Sequence, residues 1–249
     1  EAYNFAVSLA RRGPRPAASA AERRAHLRVA RRFRAVGLKV RYERFAVPGK
    51  GRSRDVIAVR ESPARCLVIA MAHTDSVPPA PGADDNASGV GTLVALARAL
   101  STGPAPRCDV WLVATGAEER PYTGTPNHLG ASALVRRLKR QDRLDNVKLA
   151  LSLDEVGRGT RFDLHSTASA PRARVEKRLL KRGVRWVRDP AGEGNSDHRE
   201  LARAGAPAAK LGVPDEPCRH TACDTPGRLQ RRAFARVLHI VWPLLRTWR

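Results

Sequence analysis

The chain has 249 residues, 42% hydrophobic and 28% charged, a size and balance that exclude a disordered or fibrous class and bury a core without help from disulfides. Its formal charge is +22, carried by 39 arginines and only seven lysines. Such a surface attracts anions, but the arginines are spread along the chain with no recognition helix, zinc finger or aromatic-interleaved strand, so no specific nucleic-acid partner is expected.

Ser19 and Glu22 make a capping box ahead of Ala25, Leu27, Val29, Ala30 and Phe33, and Gly37 closes the helix predicted over 19–36. Alternation predicts a strand over 38–47, and Val56-Ile57-Ala58-Val59 predicts another. Residues 66–72 form a continuous apolar run, the mark of a central strand covered on both faces, and His73 stands at its end. A helix over 87–100 and a buried strand over 108–114 lead into Gly116-Ala117-Glu118-Glu119. Then come a helix over 128–140, a strand over 147–153 that delivers Asp154, a strand over 161–166, a basic helix over 171–182 and a strand over 184–188. A helix over 197–204, a strand over 207–212 and a long helix from about 227, kinked or ended by Pro243, complete the order. Alternating strands and helices predict an α/β fold with a mostly parallel, mixed sheet between helices. With no linker, repeat or low-complexity tract, residues 1–249 are expected to form one domain and a monomer.

No stretch reaches the roughly 18 apolar residues of a membrane span. The single methionine, Met71, lies inside a strand, so a segment upstream is expected to be missing; a cleaved secretory signal is one explanation and trimming another. The first, with an even number of cysteines, makes a secreted or extracytoplasmic protein the expectation. Cys218 and Cys223 flank His220 and are expected to form a local disulfide, while Cys66 and Cys108 either pair across neighbouring strands or stay as buried thiols.

His73, Glu118, Glu119 and Asp154 each fall just past the carboxyl end of a predicted strand, where open α/β sheets gather ligands. Imidazole and carboxylate are ligands that zinc favours, and two ions held close together need a shared carboxylate plus separate ligands for each. Adjacent Glu118 and Glu119 allow one to ligate while its neighbour moves protons.

The motifs His73-Thr74-Asp75-Ser76, Gly82-Ala83-Asp84-Asp85-Asn86-Ala87-Ser88-Gly89, Gly116-Ala117-Glu118-Glu119, Leu153-Asp154, Ser196-Asp197-His198 and His220-Thr221-Ala222-Cys223-Asp224-Thr225 occur in this order. So arranged, and preceded by Gly13-Pro14-Arg15, the sequence resembles the co-catalytic di-zinc aminopeptidases, a zinc-exopeptidase family that also contains glutaminyl cyclases and acidic-peptide carboxypeptidases. The resemblance implies a phosphorylase/hydrolase-like fold and an aminopeptidase that hydrolyses N-terminal residues from peptides through a hydroxide shared by two zinc ions. It implies that Asp85 bridges the ions, that His73 and Asp154 complete one, and that Glu119 and His220 complete the other. Glu118 then acts as general base and acid, and Asp75 supports His73. Two zinc ions and three carboxylates leave a net charge of roughly +1 to stabilise hydroxide and oxyanion.

Asp84 competes with Asp85 on type alone, and the family pattern, with the bridge directly before Asn86, favours Asp85. The same pattern puts Asp197-His198 beside the cleft or in a supporting role, outside the metal set, and Asp224 is expected to cap or brace the His220 loop. His26, His128, His165 and His239 lack partners at ligand spacing and are expected to have surface or core roles. Arg219 stands where bacterial relatives often have Tyr and could serve an oxyanion or a substrate carboxylate; Glu155 either meets a substrate amine or faces solvent. A glutaminyl cyclase with one zinc on Asp85, Glu119 and His220 is the nearest rival, and a non-catalytic binding module the next.

Overall fold

The structure is a computed structural model, and it describes residues 1–124, 126–167, 176–189 and 195–248. Its frame is an eight-stranded mixed sheet. The strands are β1 (Lys39–Val47), β2 (Gly51–Arg60), β3 (Leu67–His73), β4 (Asp109–Thr115), β5 (Val147–Leu153), β6 (Asp163–Ser166), β7 (Arg185–Arg188) and β8 (Ala208–Gly212). They lie in the order β1-β2-β4-β3-β5-β8-β6-β7. The four central strands β4, β3, β5 and β8 are parallel, so their carboxyl ends share one edge. β1 and β2 join antiparallel on one side, and β6 runs antiparallel to β8 on the other.

β3 is buried along its whole length, as its apolar run predicts. Because side chains alternate across a sheet, Val68, Ala70 and Ala72 enter one core while Leu67, Ile69 and Met71 enter the other. The larger core is covered by α1 (Ala2–Ala10), α2 (Ala20–Ala35), α3 (Gly89–Thr102) and, after α4 to α6, by α7 (Arg231–Thr247). α4 is a single turn, Arg120–Thr123; α5 (Leu129–Arg140) and α6 (His198–Arg203) cover the opposite face.

The sheet and helix order match the expected α/β class, with three differences. α1 was not foreseen, although Ala2, Phe5, Ala6, Leu9 and Ala10 are buried at helical spacing. β2 extends well before Val56, because Gly51 to Asp55 complete the hairpin ladder with β1. Pro243 does not end α7: burial of Val237, Ile240, Val241, Leu244 and Leu245 carries the helix on to Thr247 despite one missing N–H donor. Of the basic helix expected over 171–182, residues 176–180 are helical and 171–175 lie outside the described residues.

Both disulfides are present, Cys66–Cys108 and Cys218–Cys223. The first follows from register, since Leu67 lies opposite Asp109 and the two cysteines precede them on neighbouring strands. No helix among the described residues is long and apolar enough to cross a membrane.

Candidate metal centre

The parallel register sets three chain ends side by side. His73 closes β3 opposite Thr115, the last residue of β4; Glu118 and Glu119 follow β4, and Asp154 follows β5. Asp85 comes from a kinked turn, Ala83–Ser88, whose backbone is non-helical at Asp85 and Asn86 and which leads into α3. That turn packs tightly: a Cβ on Gly89 would lie 2.2 Å from the Leu153 carbonyl, so only glycine fits there. Asn86 Nδ2 donates to the same carbonyl at 2.9 Å. His220 comes from the loop between β8 and α7, bracketed by Cys218–Cys223.

Asp85 stands between two histidines. Its Oδ1 is 3.0 Å from His73 Nε2 and its Oδ2 is 3.3 Å from His220 Nε2. His73 Nε2 is also 3.4 Å from Asp154 Oδ1, and His220 Nε2 is 2.9 Å from Glu119 Oε2. Two donor groups result, His73-Asp85-Asp154 and Asp85-Glu119-His220, each with its atoms within 4.8 Å of one another. Asp84 belongs to neither: its Oδ1 accepts from Gly157 N at 2.6 Å and its Oδ2 is 3.4 Å from Arg158 Nε.

Asp75 reaches further than support of one histidine. Its carboxylate accepts from the backbone N–H groups of Glu118 and Glu119, both at 3.1 Å, and lies 3.7 Å from His73 Nδ1. Arg15, fully buried, donates to the carbonyls of Thr74, Pro81 and Gly82 and so straps the loop between β3 and the Asp85 turn. Asp224 does more than brace its own loop: it accepts from the Asp84 and Asp85 N–H groups at 2.7 and 3.1 Å, tying the His220 loop to the Asp85 turn.

The protein's own groups reveal a demand for positive charge. Burial disfavours the Asp85 anion, but the imidazoles of His220 and His73 outweigh it and hold the carboxyl below its ordinary range. Burial and the Asp85 charge push Glu119 well above its own. Burial opposes the His73 imidazolium, yet Glu118, Asp154, Asp75 and Asp85 raise it well above the usual value. His220, also opposed by burial, is raised to about 10 by Asp85 and Glu119. Among the described residues Glu119 Oε1 is buried without a hydrogen-bond partner, and buried Asp154 Oδ1 has only His73 Nε2 at ion-pair distance, 3.4 Å. Carboxylates buried in this state are costly unless cations complete them. The donor set of imidazole nitrogen and carboxylate oxygen suits zinc.

Two features around the centre were not legible in advance. Glu155 neither faces solvent nor stays free for a substrate amine: Arg219 Nε and Nη2 donate to its two oxygens at 2.7 and 3.0 Å, and Lys210 Nζ adds a third bond at 3.1 Å. His128 has no ordinary core role, because its Nε2 is 3.0 Å from Glu118 Oε1. The other histidines stay away from the donors: His26 Nε2 faces the Thr115 carbonyl, and His165 and His198 face Asp189. Asp197 is buried and accepts from Thr115 Oγ1, outside both donor groups. Arg120, Asn127, Asn195 and Arg219 complete the cleft walls.

The model of peptidase family M28 matches residues 55–245. Aminopeptidase YwaD of Bacillus subtilis is 30% identical over 173 residues, covering 64% of this chain and 36% of its own. The probable lipoprotein aminopeptidase LpqL of Mycobacterium tuberculosis is 27% identical over 178 residues, covering 64% and 34%. The chain spans about a third of the length of these curated relatives. In fold, it is similar to BSAP, a zinc aminopeptidase from Bacillus subtilis, with a TM-score of 0.85 at 18% identity over 97% of this chain and 92% of that one. It is similar to the same degree to the Bacteroides thetaiotaomicron glutaminyl cyclase bound to N-acetylhistamine, with a TM-score of 0.84 at 20% identity over 100% and 97%. The family match reaches from within β2 into α7 and takes in every residue of both donor groups, and the chain belongs to peptidase family M28.

Proposed function

We propose that this chain is an aminopeptidase that binds two zinc ions and hydrolyses N-terminal residues from peptides, with residues 1–249 folding as one unit. The observation that carries the reading is the pair of donor groups that share Asp85 through different oxygens. His73 and Asp154 would complete one ion and Glu119 and His220 the other. Bound zinc would polarise the scissile carbonyl and lower the pKa of water.

The remaining work falls to the chain. Asp75 fixes the backbone of both glutamates, which keeps Glu119 as a donor and Glu118 free to act. Glu118 takes a proton from the attacking water and delivers it to the leaving amine nitrogen. Arg219, held rigid by Glu155, presents a cation on the cleft wall where negative charge develops on the substrate oxygen. Two disulfides favour an oxidising, extracytoplasmic setting.

Glutaminyl cyclase chemistry is the second reading, favoured by the likeness to a cyclase fold and by the self-sufficient group Asp85-Glu119-His220. Zinc-loaded protein incubated with a panel of aminoacyl nitroanilides and, separately, a glutaminyl peptide distinguishes the two. Release of nitroaniline with zinc dependence is the expected result; cyclised peptide without hydrolysis overturns it.

A further inference from the structure

Glu118 presents a problem that the metal donors do not solve. Its carboxylate lies within 4.8 Å of donor atoms on His73 and Glu119, so it forms a third candidate group with them. A glutamate that close to bound cations tends to ligate them, and a ligating carboxylate no longer acts as a base. Something must hold it back.

The backbone puts His128 in place for this. Residues 128–130 run alongside 116–118, with His128 N donating to the Glu118 carbonyl at 3.1 Å, Leu129 N to Ala117 at 3.0 Å and Gly130 N to Gly116 at 3.0 Å. The approach is close: a Cβ on Gly130 would lie 2.4 Å from Asp55 Oδ1 and 2.6 Å from the Gly116 carbonyl. His128 itself has φ +52°, a left-handed conformation that is uncommon for a non-glycine residue. The imidazole is 1% exposed, with Nε2 3.0 Å from Glu118 Oε1 and Nδ1 3.5 Å from Glu200 Oε1. Arg199 Nε fixes Glu200 at 2.8 Å, and its Nη2 fixes Asn127 Oδ1 at 2.8 Å, leaving Asn127 Nδ2 as a flanking contact 3.1 Å from the ring. His128 Nε2 therefore faces a donor, Asn127 Nδ2 at 3.1 Å, and an acceptor, Glu118 Oε1 at 3.0 Å; because a carboxylate can only accept, the Glu118 contact requires the hydrogen on Nε2.

Resting on the reading of Glu118 as the base, we propose that His128 is a positioning residue: it donates to Glu118 Oε1 and holds the carboxylate off the metal donors, leaving the second oxygen for proton transfer. Loss of that hydrogen bond lets the base fall onto a metal.

His128→Leu and His128→Gln test this in fully loaded protein. The leucine variant is expected to keep two zinc ions and a KM within about twofold, while kcat drops about 10- to 100-fold, the range for a displaced reacting group. Its cobalt-substituted form should shift in the visible to the spectrum of a higher coordination number, as Glu118 joins the ions. The glutamine variant, which still offers an N–H, should recover most of kcat and the parent spectrum. A leucine variant with parental kcat, or one that loses activity together with metal and is not rescued by glutamine, overturns the proposal. If the leucine variant does not fold, the glutamine variant decides by the same two readouts: parental kcat and spectrum support the proposal, and a lost kcat or shifted spectrum in the folded variant overturns it. Glu118→Ala separates the failures: if that variant still turns over, the base assignment itself is wrong, whereas an inactive Glu118→Ala beside a parent-like His128→Leu rejects only the positioning role.

Discussion

The two donor groups of the candidate metal centre are built differently. His73 and Asp154 sit at the ends of adjacent parallel strands, with side chains 1% and 5% exposed, so sheet register alone brings them together. His220 is 30% exposed on a long loop, and its approach to Glu119 depends on clasps: Asp75 on the Glu119 amide, Asp224 on the Asp85 turn, and the Cys218–Cys223 bridge. One half is a property of the sheet, the other of loop restraints. The lesson is that the first half should resist perturbation and exchange, and the second should respond to changes in its loop.

The largest effect is expected where both halves meet. Asp85→Ala should remove both ions and lower kcat/KM by at least about 1,000-fold, the scale of several kcal/mol of lost metal catalysis; retention of either ion, by elemental analysis, breaks the shared-bridge account. Glu118→Ala should keep two ions and lower kcat by at least about 100-fold. Near-normal turnover with confirmed metal content would remove the mechanism.

Single-histidine variants sharpen the contrast. His73→Ala and His220→Ala should each cost one zinc equivalent, but His73→Ala should destabilise the fold more, by about 3 kcal/mol, because it strands three buried carboxylates, whereas the half-buried His220 pairs with two. Equal stability in denaturant titrations would contradict the distinction. The disulfides divide in the same way: opening Cys66–Cys108, with a separation of 42 residues, should cost about 4 kcal/mol without affecting metal content. Opening Cys218–Cys223, separated by five, should cost about 2 kcal/mol or less and weaken the His220 half selectively.

The smallest effect is on pH dependence. In metal-free protein the His220 imidazolium, raised to about 10, adds stability that is complete below its ordinary pKa near 6.5 and is lost as pH rises towards 10. Zinc requires the neutral ring, so loading should abolish that decline and release protons. Denaturation of metal-free and loaded protein from pH 6 to 10 checks it; parallel profiles would contradict it.

What could be read from the sequence follows the same division. The apolar run of β3 and the motifs behind β4 and β5 are local patterns, and they put His73, Glu118, Glu119 and Asp154 at strand ends, where the structure has them. Asp84 and Asp85 were separable only through family resemblance, because their fates depend on which way a turn points. Contacts set by tertiary closure were silent: Glu155 meets Arg219 across 64 residues, and His128 meets Glu118 through a loop that folds back on itself. α1 was legible in principle, from Phe5 and Leu9 among alanines, but small side chains give a faint periodic signal.

The most direct test of the account is a crystal of zinc-loaded protein with anomalous differences measured at the zinc edge. Two peaks joined by Asp85, one beside His73 and Asp154 and the other beside Glu119 and His220, are the expected result. A single peak, or peaks that leave Asp85 bound to one ion only, would contradict the two-ion hydrolase.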